Sequence, residues 1–132
     1  MSQFIDISPL LCPEVAVWPG DVAFSRQVAL DMHSGDNLTL SSITTTLHVG
    51  AHCDAPNHYD KEGASIAQRD LEPYYGSCQV VTVNVGRGER IVPEHITVEI
   101  TAARVLFKTL TFPDPNHFNE DFASLSPQVV EF

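Results

Sequence analysis

An eleven-residue stretch, HVGAHCDAPNH at residues 48–58, contains three of the six histidines of the chain together with an aspartate. Catalytic zinc sites commonly use three imidazole or carboxylate ligands and leave one position for water. His48, His52 and Asp54 form such a set. His58 lies two residues after Pro56, beyond the turn that this proline predicts, and would be the group that carries protons. The stretch therefore predicts a metal centre with an acid–base histidine beside it.

The spacing of the predicted ligands requires a bend in the chain. Side chains at even positions of a strand share one face, but His48 and His52 would lie about 13 Å apart along a straight strand, too far to bind one ion. A helix would bring them together, as in H-E-x-x-H zinc proteases, yet Gly50 weakens a helix and Pro56 disfavours one before it. We therefore predict a bent strand, with the bend at Gly50, where glycine permits unusual backbone angles.

Other interpretations of these residues were weighed against a metal site. A single histidine is more often an ordinary surface or core residue, but three histidines and an aspartate at even spacing favour metal. Cys53 could be a ligand or a nucleophile, although alternation along an extended chain directs it away from its neighbours. Three cysteines without C-x-x-C spacing indicate reduced thiols. His33, His95 and His117 lack ligand-like spacing and are predicted to lie on the surface.

Composition limits the classes of partner. The chain has 132 residues, 43% of them hydrophobic, and a formal net charge of -10, which suits one globular domain. This charge would repel nucleic acid and anionic membrane surfaces. The N-terminus lacks the basic region of a signal peptide, and no apolar run is long enough to span a membrane. We expect a soluble cytoplasmic protein that acts on a small molecule.

The pattern of β-branched and aromatic residues predicts an α/β protein that is mainly β with minor helix. Strands are expected at residues 4–7, 37–48, 79–85 and 104–109, with irregular or short helical structure after Pro56 and one helical turn at Pro93. Ser126 and Pro127 are typical of a helix start, although the chain stops after about one and a half turns. We expect residues 1–132 to be part of a larger domain.

The stretch HVGAHCDAPNH resembles the motif H-x-G-[TA]-H-x-D-x-P-x-H of the cyclase-type metal-dependent hydrolases. The sequences DISPLL at residues 6–11, WPGD at residues 18–21 and YYGSCQV at residues 74–80 are similar to those of the bacterial kynurenine formamidases, or arylformamidases, in that family. The similarity runs from residue 4 to the end. It implies a swivelling β/β/α domain, usually in a homodimer.

The resemblance also implies a role for each residue of the motif. His48, His52 and Asp54 would hold one zinc ion, Asp54 would also touch a second, and His58 would donate and accept protons. Trp18 stands where these enzymes place an aromatic residue against the substrate. The implied reaction is the hydrolysis of N-formyl-L-kynurenine to formate and L-kynurenine, a step of tryptophan degradation.

Members of this family are longer, and their second half supplies a further histidine and a glutamate for the second metal. We therefore expect this chain to be the N-terminal portion of such a domain. Activity is expected to need the C-terminal portion. That portion would either be a separate chain or have been removed by proteolysis. Two alternatives stay open. One is a related metal hydrolase that acts on a cyclic amide such as isatin, and the other is an inactive metal-binding half-domain.

Overall fold

The computed structural model describes residues 5–131, and short strands predominate in it. The strands are β1 (Ser25–Leu30), β2 (Leu40–Thr44), β3 (Gln79–Thr82), β4 (Arg90–Ile91), β5 (Val105–Lys108) and β6 (Ser124–Leu125), and a single α-helix, α1 (Pro127–Val130), occurs within the described range. Isolated 3-10 turns cover Met32–Ser34, Pro56–His58, Ile66–Gln68, Glu72–Tyr74 and Pro93–His95. Small sheets with little helix agree with the predicted α/β class and with a partial domain.

The chain divides into two units. The first comprises residues 1–54 and 114–118, and the second comprises residues 55–113 and 119–132. None of the helices within residues 5–131 has the length and apolar character needed to cross a membrane.

The first unit contains an antiparallel hairpin. Strands β1 and β2 pair from Ser25 opposite Thr44 to Leu30 opposite Leu40, with an irregularity near Val28. A small core of buried apolar side chains accompanies the hairpin, and its members are Val15, Phe24 and Val49. Val49 matters for the site, because burying its side chain fixes the segment in which the predicted ligands lie.

The second unit contains two parallel strand pairs, β3 with β5 and β4 with β6. Along β3 and the residues after it, Val81, Val83 and Val85 are buried while the intervening side chains are exposed. Ile91 of β4 completes this core. The alternation is that of a strand with one face packed and the other open.

The structure confirms several predicted elements. The segments 79–85 and 104–109 contain β3 and β5, and Pro93 begins a 3-10 turn. Pro127 is the first residue of α1, and the Ser126 side chain accepts a hydrogen bond from the Val129 N–H, so the predicted helix start is correct.

Other predicted elements differ from the structure. The strand expected at residues 37–48 is shorter, because β2 ends at Thr44. The strand expected at residues 4–7 is wrong over its described part, residues 5–7, where the Asp6 side chain accepts from the Ser8 N–H in a local turn. Residue 4 lies outside the described range. The first strand, β1, was not predicted.

An ion pair holds the turn before β4 against the segment before β6. Arg87 donates to one oxygen of Asp121 from Nε at 2.9 Å and from Nη2 at 2.6 Å, and Asn119 donates to the same oxygen at 3.0 Å. These hydrogen bonds, with that of Arg87 the largest cause, hold the pKa of the Asp121 carboxyl below its ordinary value of 3.8.

We predict that Asp121→Asn lowers the thermal midpoint by a few degrees at pH 7. A carboxyl with a lowered folded-state pKa stabilises the fold above its ordinary pKa, and this contribution disappears as the pH falls through the folded-state value. The difference in midpoint between the parent and the variant should therefore shrink below about pH 4. Glu120→Gln, at the exposed neighbouring position, is the control. Equal midpoints at pH 7 for Asp121→Asn and the parent would contradict this prediction.

Candidate metal centre

The predicted bend occurs at Gly50. After β2 ends, residues 47–51 are bent, and Gly50 has φ +58, in the left-handed region that glycine adopts readily. The prediction of a bend at this glycine is thus confirmed. The carbonyl oxygen of Gly50 lies 3.0 Å from Nδ1 of His52, so the bend also orients that imidazole.

The bend brings three predicted ligand atoms of the first unit together. Nδ1 of His48 lies 3.2 Å from Nε2 of His52 and 3.0 Å from Oδ1 of Asp54. The remaining edge of this triangle, from Nε2 of His52 to Oδ1 of Asp54, is 3.5 Å.

The triangle has the size that a zinc ion requires. With bonds of about 2.0–2.2 Å, two ligands of a tetrahedral zinc are about 3.3–3.6 Å apart. The three measured edges of 3.0, 3.2 and 3.5 Å differ from this range by at most a few tenths of an ångström. One face of a tetrahedron is therefore nearly formed, and these residues fit a divalent ion.

The hydrogen bond at Nδ1 of His52 suits a metal ligand. A neutral imidazole that donates from Nδ1 to the Gly50 carbonyl keeps its lone pair on Nε2, the nitrogen that faces His48 and Asp54. Metal-binding histidines usually have such a carbonyl or carboxylate partner on the other nitrogen. The backbone bend thus supplies both the position of the ring and its tautomer.

A simple ion pair between His48 and Asp54 explains this arrangement less completely than a metal site does. An imidazole–carboxylate pair needs only His48 and Asp54, whereas the structure places a second imidazole nitrogen against both. The side chains of His48, His52 and Asp54 are 36%, 34% and 45% exposed, so an ion and a small substrate could reach them. Two neutral imidazoles and one carboxylate would leave a bound divalent ion with a net positive charge, which favours activation of water.

The turn that carries Trp18 lies in the same unit. The Asp21 N–H donates to the Trp18 carbonyl at 2.9 Å, and Gly20 has φ +91, so Pro19 and Gly20 form the centre of a type II turn. The Trp18 side chain is 53% exposed, and its ring makes an edge contact with Phe118 at 5.3 Å between centroids. An exposed, supported indole can contact a ligand.

Asp21 connects this turn to the ligand segment. One carboxylate oxygen accepts from its neighbour, the Val22 N–H, at 2.7 Å, so Asp21 caps its own backbone. The other oxygen accepts from the Thr46 hydroxyl at 2.6 Å. The Thr46 hydrogen bond, and then that of Val22, hold the pKa of Asp21 below 3.8; His48 adds a smaller lowering effect that opposes the effect of desolvation.

Sequence analysis missed the contact between Asp21 and Thr46. These residues are 25 positions apart, and Thr46 is one of several threonines in TTTLH. A threonine two residues before a predicted ligand was the available signal, but nothing in the sequence identified its partner.

His58 belongs to the second unit, at the end of the turn Pro56–His58. Its backbone N–H donates to the Ala55 carbonyl at 2.9 Å, and its ring lies 4.3 Å from that of Tyr59. The turn is packed closely against Gly63, where an added Cβ would lie 2.6 Å from the Pro56 backbone. Local packing therefore fixes the backbone that presents this imidazole.

The remaining histidines and cysteines lie outside the ligand triangle. His33 and His117 are exposed, as expected. The surface prediction for His95 is wrong, because this residue is half-buried and its Nδ1 accepts from the Val92 N–H at 3.3 Å. Cys53 is exposed, and no disulfide links it to the other two cysteines, Cys12 and Cys78.

Comparison with known proteins establishes the family. The family model named Cyclase matches residues 5–132. The chain belongs to the Cyclase family. This Cyclase-family chain is also 41% identical, over 128 residues, to a protein of Delftia acidovorans named kynurenine formamidase. The match covers 96% of the chain but 60% of the relative, so the chain spans about 60% of that protein's length.

We predict that Gly50→Ala weakens metal binding in this Cyclase-family protein by at least tenfold. An alanine at φ +58 is strained by about 1–2 kcal/mol, and its Cβ would lie 2.7 Å from Leu11 Cδ2. Relief of this strain would open the bend and separate the ligand atoms. Isothermal titration with zinc would measure the effect.

The matched control is Gly35→Ala. Gly35 also has a left-handed φ, +98, but an added Cβ there meets nothing within 4 Å. Its strain should cost stability without changing zinc affinity. Equal zinc affinities for the Gly50→Ala variant and the parent would show that the bend does not control the ligands.

Proposed function

We propose that this protein is a metal-dependent amidohydrolase that converts N-formyl-L-kynurenine to L-kynurenine and formate. The observation that carries the proposal is the convergence of Nδ1 of His48, Nε2 of His52 and Oδ1 of Asp54 within 3.5 Å. The similarity to the Delftia acidovorans kynurenine formamidase supports the choice of substrate. The name of that relative also supports hydrolysis of an amide as the class of reaction.

His48, His52 and Asp54 would hold the ion, for which zinc is our proposal because imidazole and carboxylate suit it. A bound zinc supplies a Lewis acid that polarises the formyl carbonyl and lowers the pKa of water towards about 7. The protein contributes a preformed set of ligands and keeps the proton of His52 on Nδ1, away from the ligand face. No serine or cysteine nucleophile is needed in this scheme.

His58 is proposed as the acid–base group. The tetrahedral intermediate must expel an aryl amine, and a protonated imidazole can give that nitrogen a proton as the bond breaks. His58 lies four residues after Asp54 in the sequence, and its backbone is held by the turn Pro56–His58. An imidazole can both accept and donate a proton, so one residue can serve in both steps.

Trp18 is proposed as the contact for the aromatic ring of the substrate. The residue is 53% exposed, and its indole makes an edge contact with Phe118. Stacking against an aryl ketone adds about 0.5–1.5 kcal/mol beyond the burial of area, which an aliphatic formamide would not gain. Trp18 would therefore select for aryl formamides.

Further features of the complete enzyme are also proposals. Asp54 has a second carboxylate oxygen that could reach a second ion, giving two zinc ions per complete site. The histidine and glutamate needed for that ion would come from the portion that relatives possess beyond this match. We also propose a homodimer in the cytoplasm, with a separate chain as the alternative source of the missing ligands.

We predict that Asp54→Ala abolishes zinc binding, whereas His58→Ala retains one zinc and loses most turnover. The difference arises because Asp54 supplies one corner of the ligand triangle, while His58 moves protons, an effect worth about 100- to 10,000-fold in rate. Zinc content by elemental analysis would be measured on the chain itself, and formylkynurenine hydrolysis would be measured on the chain together with the C-terminal portion that activity is expected to need.

His33→Ala, at an exposed histidine of the first unit, serves as the control and should match the parent in both assays. Zinc occupancy of Asp54→Ala equal to that of the parent would defeat the ligand assignment. Full turnover in His58→Ala would defeat the proton-transfer role alone.

We predict that Trp18→Ala raises KM for N-formylkynurenine about three- to tenfold, from the loss of aromatic stacking. The KM for an N-formyl aliphatic amine should change much less, and Trp18→Phe should recover most of the affinity. Steady-state kinetics on both substrates, with isatin assayed in parallel, would test this. A uniform increase of KM for aryl and aliphatic substrates would remove Trp18 from substrate recognition, and faster hydrolysis of isatin would favour the cyclic-amide alternative.

A metal-binding half-domain without activity is the second candidate. It is favoured by the fact that the match covers only 60% of the relative. Intact mass spectrometry beside the hydrolysis assay separates the two candidates. A mass near 14.5 kDa in a zinc-loaded but inactive sample would favour the half-domain. Activity in that same sample, or activity that appears with an additional fragment, would favour the enzyme.

A further inference from the structure

A continuous path of hydrogen bonds joins the Trp18 turn to the ligand His48. The turn closes through the Asp21 N–H and the Trp18 carbonyl, and Asp21 accepts from the Thr46 hydroxyl at 2.6 Å. The same hydroxyl oxygen accepts from the backbone N–H of His48 at 3.2 Å. All four residues belong to the first unit.

Thr46, the middle residue of this path, is held in place by burial and by hydrogen bonds. Its side chain is buried, with 9% of the residue exposed, and its backbone N–H donates to the Val22 carbonyl at 2.9 Å. A hydroxyl has one proton and two lone pairs. Because that proton is donated to a carboxylate, the oxygen presents only lone pairs to the His48 N–H. Asp21 therefore makes the Thr46 hydroxyl an acceptor towards the His48 N–H.

This path is relevant to function because a metal site tolerates only small displacements of its ligand atoms. The ligand atoms of His48, His52 and Asp54 are placed to within a few tenths of an ångström of a tetrahedral face. His48 is the ligand that directly follows the segment anchored to Val22 and Asp21. A rotation of its backbone would move Nδ1 away from both partner atoms.

We propose that Asp21, acting through Thr46, is a positioning residue that couples the aromatic substrate contact Trp18 to the metal ligand His48. This inference rests on the proposed function, because it takes His48 as a ligand and Trp18 as a substrate contact. Binding of a metal at His48 would order the turn of Trp18, and loss of the Thr46 hydroxyl would weaken the metal site and uncouple the turn.

The chain contains a single tryptophan, which provides a direct measurement. The metal-free 132-residue protein would be titrated with zinc chloride while the emission of Trp18 is recorded, and zinc affinity would be measured independently by isothermal titration. In the parent we expect zinc to change the Trp18 emission. Thr46→Ser keeps the hydroxyl and should behave like the parent within about threefold in affinity.

Thr46→Val keeps the shape of the side chain but removes the hydroxyl. We expect about a 10- to 100-fold loss of zinc affinity, the range found when partners behind a metal ligand are removed, together with loss of the Trp18 response. Thr111→Val is the matched control, since Thr111 is also buried, 4% exposed, and its hydroxyl accepts from the Ala123 N–H in the second unit. Its zinc affinity should equal that of the parent even where its thermal midpoint falls.

The outcomes separate this inference from the function on which it rests. Parental zinc affinity and Trp18 response in Thr46→Val would overturn the coupling while leaving the hydrolase intact. A parent that binds no zinc would overturn both. If Thr46→Val does not fold, Asp21→Ala replaces it, because it removes the acceptor of the Thr46 hydroxyl while leaving Thr46 in place; unchanged zinc affinity and Trp18 response in that variant would overturn the proposal equally.

Discussion

The bend at Gly50 is the constraint on which the candidate site depends. A straight strand would spread His48 and His52 by about 13 Å, whereas the left-handed Gly50 brings their nitrogens to 3.2 Å. The same residue offers its carbonyl to Nδ1 of His52. One unusual backbone angle therefore accounts for both the distance between the imidazoles and the hydrogen bond that orients one of them.

Side chains on either side of the ligands hold the bend to the first unit. Val49 is 9% exposed and packs with Val15 and Phe24, so the residue between His48 and Gly50 is committed to the core. Leu11 lies against the free side of Gly50, where any Cβ would meet it. Before the bend, Thr46 connects the segment to Asp21. Of the candidate ligands, His52 and Asp54 are exposed and His48 is half-buried, but the backbone beneath them is fixed by apolar contacts and hydrogen bonds.

The sequence was sufficient to predict the features that depend on residues close together in the chain. The spacing of the histidines and the presence of Gly50 were sufficient to predict a bend, and Ser126 with Pro127 was sufficient to predict a helix start. Both depend on residues within a few positions of one another. The motif HVGAHCDAPNH also indicated the family, which the match over residues 5–132 establishes.

Features that depend on distant pairing were predicted less well. Strand β1 acquires its conformation from β2, and residues 31–39 separate the two strands, so SRQVAL alone gave no strong signal. Strand β2 ends earlier than its threonine-rich sequence suggests, because Thr46 bonds to Val22 and Asp21 instead of continuing the ladder. In residues 5–7, a local turn at Asp6 replaced the expected strand. The sequence indicates the strand propensity of a segment, whereas the actual strand boundaries depend on which residues the segment bonds to in the fold.

The short separation of the ligands determines how a metal would act on the fold. His48 and Asp54 are six positions apart, so an ion closes a small loop and removes little entropy from the unfolded chain. Stabilisation by the metal would therefore arise mainly from preferential binding to the preformed triangle. That triangle is connected to the rest of its unit through Val49 and Thr46. Val49 contributes both to the core and to the site. Thr46 chiefly orients the backbone of His48. A change at Thr46 would therefore alter metal affinity with less effect on the fold than a change at Val49.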